Sequence, residues 1–128
     1  MDMGTGKLDK VPPQNIDAER AVLGAMLIAD GSKEVIPRVV EILGDNLNGN
    51  GFYREAHQKI YVAILNLFER GEPADLLTLM RELERTGDLE KVGGLAYLDE
   101  MIESVPTAAN VEYYAKMVKD EALRRRLI

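Results

Sequence analysis

The sequence predicts an all-α fold: a compact bundle of roughly six helices. Three observations lead there. Apolar residues recur at three- and four-residue spacing in segment after segment. No segment alternates apolar and polar residues in the two-residue period of a strand. The periodic segments are separated by Gly, Pro, Asn and Asp, the residues that end helices and make turns. With 128 residues, the chain has one domain's worth of material and can bury roughly two-thirds of its unfolded surface. No internal repeat or low-complexity tract interrupts it.

Residues 1–11 hold Gly4, Gly6 and scattered charges without periodicity, and read as a disordered tail. Pro12-Pro13 then imposes an extended entry. The first helix starts near Asn15–Asp17, with Val22, Leu23, Met26 and Leu27 as its stripe. Asp17 and Glu19 sit in its first turn, where the macrodipole favours acids. Gly24 lies inside this helix at a cost of about 1 kcal/mol against Ala, which points to a close helix–helix contact. Ser32 can cap a second helix through Leu43, with Val35, Ile36, Val39, Val40 and Leu43 inward. Pro37 within it implies a kink or a late start. Residues 44–51 are loop chemistry throughout.

A third helix runs from about Arg54 to Arg70, with the stripe Ala56, Ile60, Ile64, Leu67 and Phe68 and a stop at Gly71. Asp75 caps a fourth, whose Leu76, Leu79, Met80 and Leu83 face inward and which Gly87 ends. After Gly93-Gly94 a fifth covers about Leu95 to Ser104, with Tyr97, Leu98, Met101 and Ile102 apolar. Val105-Pro106 breaks the chain. Thr107 caps a last, long helix reaching Ile128, with the seam Val111, Ala115, Val118 and Ala122. Glu112–Lys116, Asp120–Arg124 and Glu121–Arg125 are acid-first pairs that support its exposed face.

Composition removes several classes of function. There is no Cys, so disulfides and thiolate metal sites are excluded, which fits a reducing cytosol. No stretch approaches the ~20 apolar residues of a membrane span. The net charge is −6, whereas a domain that grips DNA by itself is usually basic, since phosphate neutralisation supplies most of the affinity. Positive charge gathers only near the end, at Lys116, Lys119 and Arg124–Arg126.

The individual motifs carry little chemistry. Gly4-Thr5-Gly6-Lys7 looks like the end of a phosphate loop, but it lacks the first Gly, the following Ser or Thr, and the preceding strand. Asn46, Asn48, Asn50 and Gly51 have calcium-loop spacing, yet every early carboxylate is Asn and position twelve is His57. His57 is the only histidine, and with no nucleophile and orienting acid at coherent spacing it reads as structural. Glu82 with Glu84, and Asp99, Glu100 and Glu103, read as solvated faces. No catalytic residue, cofactor site or metal site is expected. The last helix, by contrast, places Leu123, Leu127 and Ile128 beside its basic run and stops without a cap or Gly. That implies a chain that continues. Packing on the domain's own core accounts well for Leu123 and poorly for Ile128.

The segment from Val11 to Gly24 reads Val-Pro-Pro-Gln-Asn-Ile-Asp-Ala-Glu-Arg-Ala-Val-Leu-Gly. It resembles the opening of bacterial replicative DNA helicases of the DnaB family: Pro-Pro, three residues, an acid-Ala-Glu run, then Val-Leu-Gly. Four further stretches are similar to family motifs in the same order. They are Phe52-Tyr53-Arg54 with His57 and Ile60; Gly71 to Leu76; Val92 to Leu98; and Val105 to Val111 with Tyr114-Ala115. The loop 44–51 is longer than most members have before Phe-Tyr.

The resemblance implies a non-catalytic N-terminal domain: a helical head (12–106) and the first arm of a truncated helical hairpin (107–128). It implies a cytoplasmic protein whose domains pair within a hexameric ring. The domain would bind the C-terminal helicase-binding domain of primase, and possible further partners are an initiator or loader. ATP and magnesium would belong to an ATPase domain outside this chain. By the same resemblance the primase-contacting positions are Tyr97, Arg125 and Ile128. Two other readings stay open. One is a small all-α enzyme using exposed carboxylates and the terminal arginines; the other is a helical nucleic-acid-binding domain using Arg124–Arg126.

Overall fold

A computed structural model describes residues 14–28, 32–44, 49, 51–105 and 107–127. Those residues form six α-helices and no strand. They are α1 (Ile16–Met26), α2 (Ser32–Leu43), α3 (Glu55–Glu69), α4 (Leu76–Thr86), α5 (Gly94–Glu103) and α6 (Val111–Arg126). The tail assigned to 1–11, the phosphate-loop-like Gly4–Lys7 and most of the 44–51 loop lie outside the described residues.

α1 is the central element. It packs against α2, α3, α5 and α6, while α4 bridges α3 and α5. From Val22 to Leu27 every residue is buried, because a helix covered on several sides cannot keep a polar stripe. Asn15 caps it by accepting from the Ala18 amide at 3.0 Å. Gly24 provides the close contact its position implied. A Cβ there would stand 2.7 Å from the Met101 carbonyl oxygen and 2.8 Å from a Val105 methyl, so α1 and the end of α5 approach closely only because residue 24 has no side chain.

The remaining boundaries follow local chemistry. α3 ends with Gly71 at φ +75°, and the Glu72 amide donates back to the Leu67 carbonyl at 3.0 Å, which is the Schellman closure. α4 begins in a reciprocal capping box between Asp75 and Thr78 and closes at Gly87, φ +80°, in the same way as α3. α2 runs from Ser32 straight through Pro37, so the late start expected there does not occur.

Several expectations need correction. The last helix begins at Val111, with Asn110 rather than Thr107 before it. Thr107 instead accepts from the Ala109 amide two residues on, forming a turn ahead of the helix. Phe68 is exposed and Tyr61 takes its place in the core, its hydroxyl donating to the Gly44 carbonyl at 2.7 Å. Of the acid-first pairs expected on α6, none is formed as such. Arg124 reaches Glu121 at 3.6 Å, Glu112 pairs with Arg38 of α2 at 3.7 Å, and Arg125 turns to the 51–53 turn. Leu123 is 44% exposed and Leu127 87%. The core does not cover Leu123, because α6 packs on α1 and α2 through Val111, Ala115 and Val118 and then runs past them.

Glu82 is not on a solvated face either. Its carboxylate is buried and clasped by two guanidiniums, Arg85 Nη2 at 2.8 Å and Arg70 Nη2 at 2.7 Å. The hydrogen bonds from Arg85 and Arg70 hold its pKa at about 2, against an ordinary 4.5, despite burial. The clasp ties the C-terminus of α3 to the middle of α4.

Two outcomes follow. Gly24→Ala should lower stability by about 1–3 kcal/mol, the overpacking cost exceeding the gain in helix propensity; an unchanged or raised melting temperature would contradict the close approach. For Glu82, the folded-state pKa is depressed. Its stabilisation is therefore complete above the ordinary carboxylate range and is lost as pH falls from 4.5 towards 2. Denaturant titrations across that window should show a steeper acid loss for the native chain than for Glu82→Gln; parallel curves would remove the clasp from the acid response.

Candidate interaction site around a buried glutamate

The side chains from α1, the 51–54 turn, α3 and α5 converge on Glu19. Glu19 sits in the first turns of α1, where the exposed amide dipoles favour an anion, yet only 2% of its side chain is exposed. Burial of a carboxylate requires partners, and two elements supply three of them. The Tyr53 amide donates to Oε2 at 2.7 Å and the Arg54 amide to Oε1 at 3.5 Å. His57 Nδ1, on the first turn of α3 and fully buried, lies 2.8 Å from Oε1.

The network continues outwards. His57 Nε2 lies 2.6 Å from the Tyr97 hydroxyl of α5, and Arg54 Nη1 donates to that hydroxyl at 3.2 Å. Arg54 donates to the Tyr97 hydroxyl. With a neutral imidazole carrying its proton on Nδ1, Tyr97 would donate to Nε2 and Nδ1–H to the Glu19 carboxylate, each bond polarising the next. The Tyr97 ring lies nearly parallel to the imidazole, 6.0 Å between centroids. The Arg20 guanidinium stands 5.6 Å from the Tyr97 ring centre and pairs with Glu100 at 3.3 Å. Arg20 Nε is buried without a hydrogen-bond partner among the described residues.

α6 joins the same assembly. Arg125 Nη2 donates to the Gly51 carbonyl at 3.2 Å, and its guanidinium lies over the Tyr53 ring at 5.6 Å. Tyr53 and Arg54 therefore use their backbone amides inward, on Glu19, and their side chains outward, on α6 and α5.

Chemically, this is a positioning network with an Arg- and Tyr-rich outer surface. It has no arrangement for nucleophilic catalysis: the one imidazole is enclosed between a carboxylate and a phenol. Among the described residues, no group of three or more His, Cys, Asp or Glu is placed to hold a metal ion, and no helix is long and apolar enough to cross a membrane.

The three positions implied by resemblance fare differently. Tyr97 is half-buried, neither a core residue nor a free surface ring. Arg125 stands on the neighbouring turn, joined to Tyr97 through Tyr53-Arg54. Ile128 lies outside the described residues. Sequence reasoning read His57 as structural, and the side chain lies enclosed between Glu19 and Tyr97; the same reasoning assigned Glu19 only to the helix dipole and passed over Arg20 and Arg54. The one available signal was that Glu19, Phe52-Tyr53-Arg54, His57 and Tyr97 all belong to the motifs quoted above.

Comparison with known proteins bears on the family and the fold. Residues 11–120 match the DnaB-like helicase N terminal domain. The chain is 50% identical over 120 residues to the replicative DNA helicase DnaC of Bacillus subtilis, covering 94% of this chain and 25% of that protein. It is 50% identical over 117 residues to the replicative DNA helicase DnaB of Mycobacterium leprae, covering 91% of this chain and 18% of that protein. The crystal structure of the N-terminal domain of DnaB helicase from Mycobacterium tuberculosis superposes with a TM-score of 0.82 at 50% identity, covering 91% of this chain and 80% of that one. The chain thus spans a quarter or less of these full-length relatives.

Tyr97→Phe isolates the hydroxyl. It keeps the ring but leaves His57 Nε2 and Arg54 without their shared partner, which should cost about 1–2 kcal/mol while preserving helix content. Glu19→Ala leaves the Tyr53 amide and the imidazole unpaired in the core and should cost more. Equal, negligible losses in thermal melts of both variants would show that the network does not hold the elements together.

Proposed function

The chain belongs to the DnaB-like helicase N terminal domain family, and from that membership we propose that it is an assembly and partner-binding domain of a replicative helicase. The match over residues 11–120 carries the reading. In this reading the chain supports pairing of domains within a hexameric ring and binds the C-terminal domain of primase. The parent protein is an ATP-driven helicase working in the cytoplasm at the replication fork. Two features favour a role in contacts between proteins. The end of α6 offers Leu123 and Leu127 to solvent. Beside it, Tyr97, Tyr53 and Arg125 present the aromatic and arginine side chains that dominate interface energetics.

The partner contact is tested on the full-length helicase by calorimetry with the primase C-terminal domain. Tyr97→Ala should weaken binding by about 1–2 kcal/mol. Because the Tyr97 hydroxyl also serves the buried network, Tyr97→Phe is the necessary companion: it disturbs the network while keeping the ring. Loss of affinity in the Ala but not the Phe variant places the ring in the interface; equal affinity in all three proteins removes it. For assembly, sedimentation of this chain should show a monomer–dimer equilibrium at high concentration. A strict monomer at about millimolar concentration would argue that α6 does not mediate self-association.

A further inference from the structure

The corner between α3 and α4 carries a cluster that the Glu19 network does not use. An open hollow of about 700 Å³ is lined there by buried Leu67 and by Arg70, Arg81 and Arg85, with Glu72 and Glu82. Three guanidiniums against two carboxylates leave one positive charge in the hollow, on a chain that carries −6 overall. Both carboxylates are committed. Glu82 is clasped by Arg70 and Arg85, and Glu72 accepts from the Nε of Arg70 at 3.1 Å. Arg81 is exposed and makes no ion pair or side-chain hydrogen bond among the described residues.

Arg85 is a second donor only partly used. It turns Nε and Nη2 to Glu82, so the Nη1 end of its fork has no partner among the described residues. Arg81 and Arg85 stand one helical turn apart on α4, and like charges at that spacing destabilise a helix. Glu69 and Glu84, the other acids next to these arginines in sequence, are exposed and form no ion pair with them.

We propose that Arg81 and Arg85 together bind a small oxyanion in this hollow, a phosphate group free in solution or carried by a small metabolite. This site is independent of the Glu19 network and of partner binding there. The Glu82 clasp preorganises it. Glu82 is 2% exposed in its side chain and holds the Arg85 guanidinium in place, so binding costs little of that side chain's freedom. Arg70 adds a third positive charge beside the site. A phosphate group is more highly charged than a carboxylate and offers acceptors in several directions, so two guanidiniums can engage it together; a planar carboxylate is satisfied by one fork. A nucleic acid is too extended an anion. Its repeated phosphates would meet the flanking Glu69, Glu72 and Glu84 and the field of the −6 chain, whereas a single phosphate group meets chiefly the arginines.

The test is titration of this chain with sodium phosphate, followed by heteronuclear NMR at a constant ionic strength of about 0.15 M. Phosphate should shift the backbone and side-chain resonances of Arg81 and Arg85 and saturate at millimolar concentration. AMP, sodium acetate and a short oligothymidylate are titrated in parallel. Phosphate binding at least as tightly as AMP assigns the site to free phosphate; tighter binding of AMP at the same resonances assigns it to a phosphate ester of a small molecule. Arg81→Gln should weaken binding by at least about tenfold, and Arg81→Lys, which keeps the charge and loses the fork, by less. Arg81 is exposed and outside the Glu82 clasp, so both variants keep the fold. No saturable shift, shifts on another face, acetate or the oligothymidylate binding as tightly as phosphate, or undiminished binding by Arg81→Gln would each overturn the proposal.

Discussion

A single buried carboxylate organises this domain. Glu19 is drawn into the core by its place on the most enclosed helix, and once there it must be satisfied. Its partners come from the 53–54 turn, from α3 through His57 and, one bond further, from α5 through Tyr97. Apolar packing alone is tolerant of small rotations and slides between helices. Hydrogen bonds to a buried charge are not, because a shift of about 1 Å leaves a donor or the anion unpaired. The relative placement of four elements is therefore fixed at one point.

The same point shapes the surface. Tyr53 and Arg54 are held by their amides, so their side chains project in a set direction. Arg125 of α6 then settles over Tyr53 and on the Gly51 carbonyl. An interior electrostatic requirement thereby orders an exterior patch. The domain also holds its two most demanding buried acids in different ways. Glu82 is neutralised by two arginines at the periphery of α3 and α4. Glu19 is satisfied by two backbone amides and an imidazole.

Burial separates the two halves of α6. Val111, Ala115 and Val118 anchor it between α1 and α2, whereas Leu123 and Leu127 face solvent. The helix is thus rooted in the core at one end and uncovered at the other.

The all-α class, the existence and order of six helices and most of their inward faces follow from the sequence by itself. So do the stops at Gly71 and Gly87, the Asp75 cap and the need for close contact at Gly24. These features rest on spacing within one segment, on backbone freedom at a glycine or on a side chain reaching its own helix end, and all such information is local. What only the tertiary structure decided is which polar residues went inside. Glu19 and Glu82 look no different along the chain from Glu84 or Glu103; beyond the local Arg85, their burial depends on partners 12 to 38 positions away. The exchange of Phe68 for Tyr61 and the redirection of Arg125 to Gly51 share that cause. Each was settled by a neighbour close in space and distant in sequence, because a charge or ring goes where the assembled fold supplies its partner, and periodicity records only the helix it belongs to.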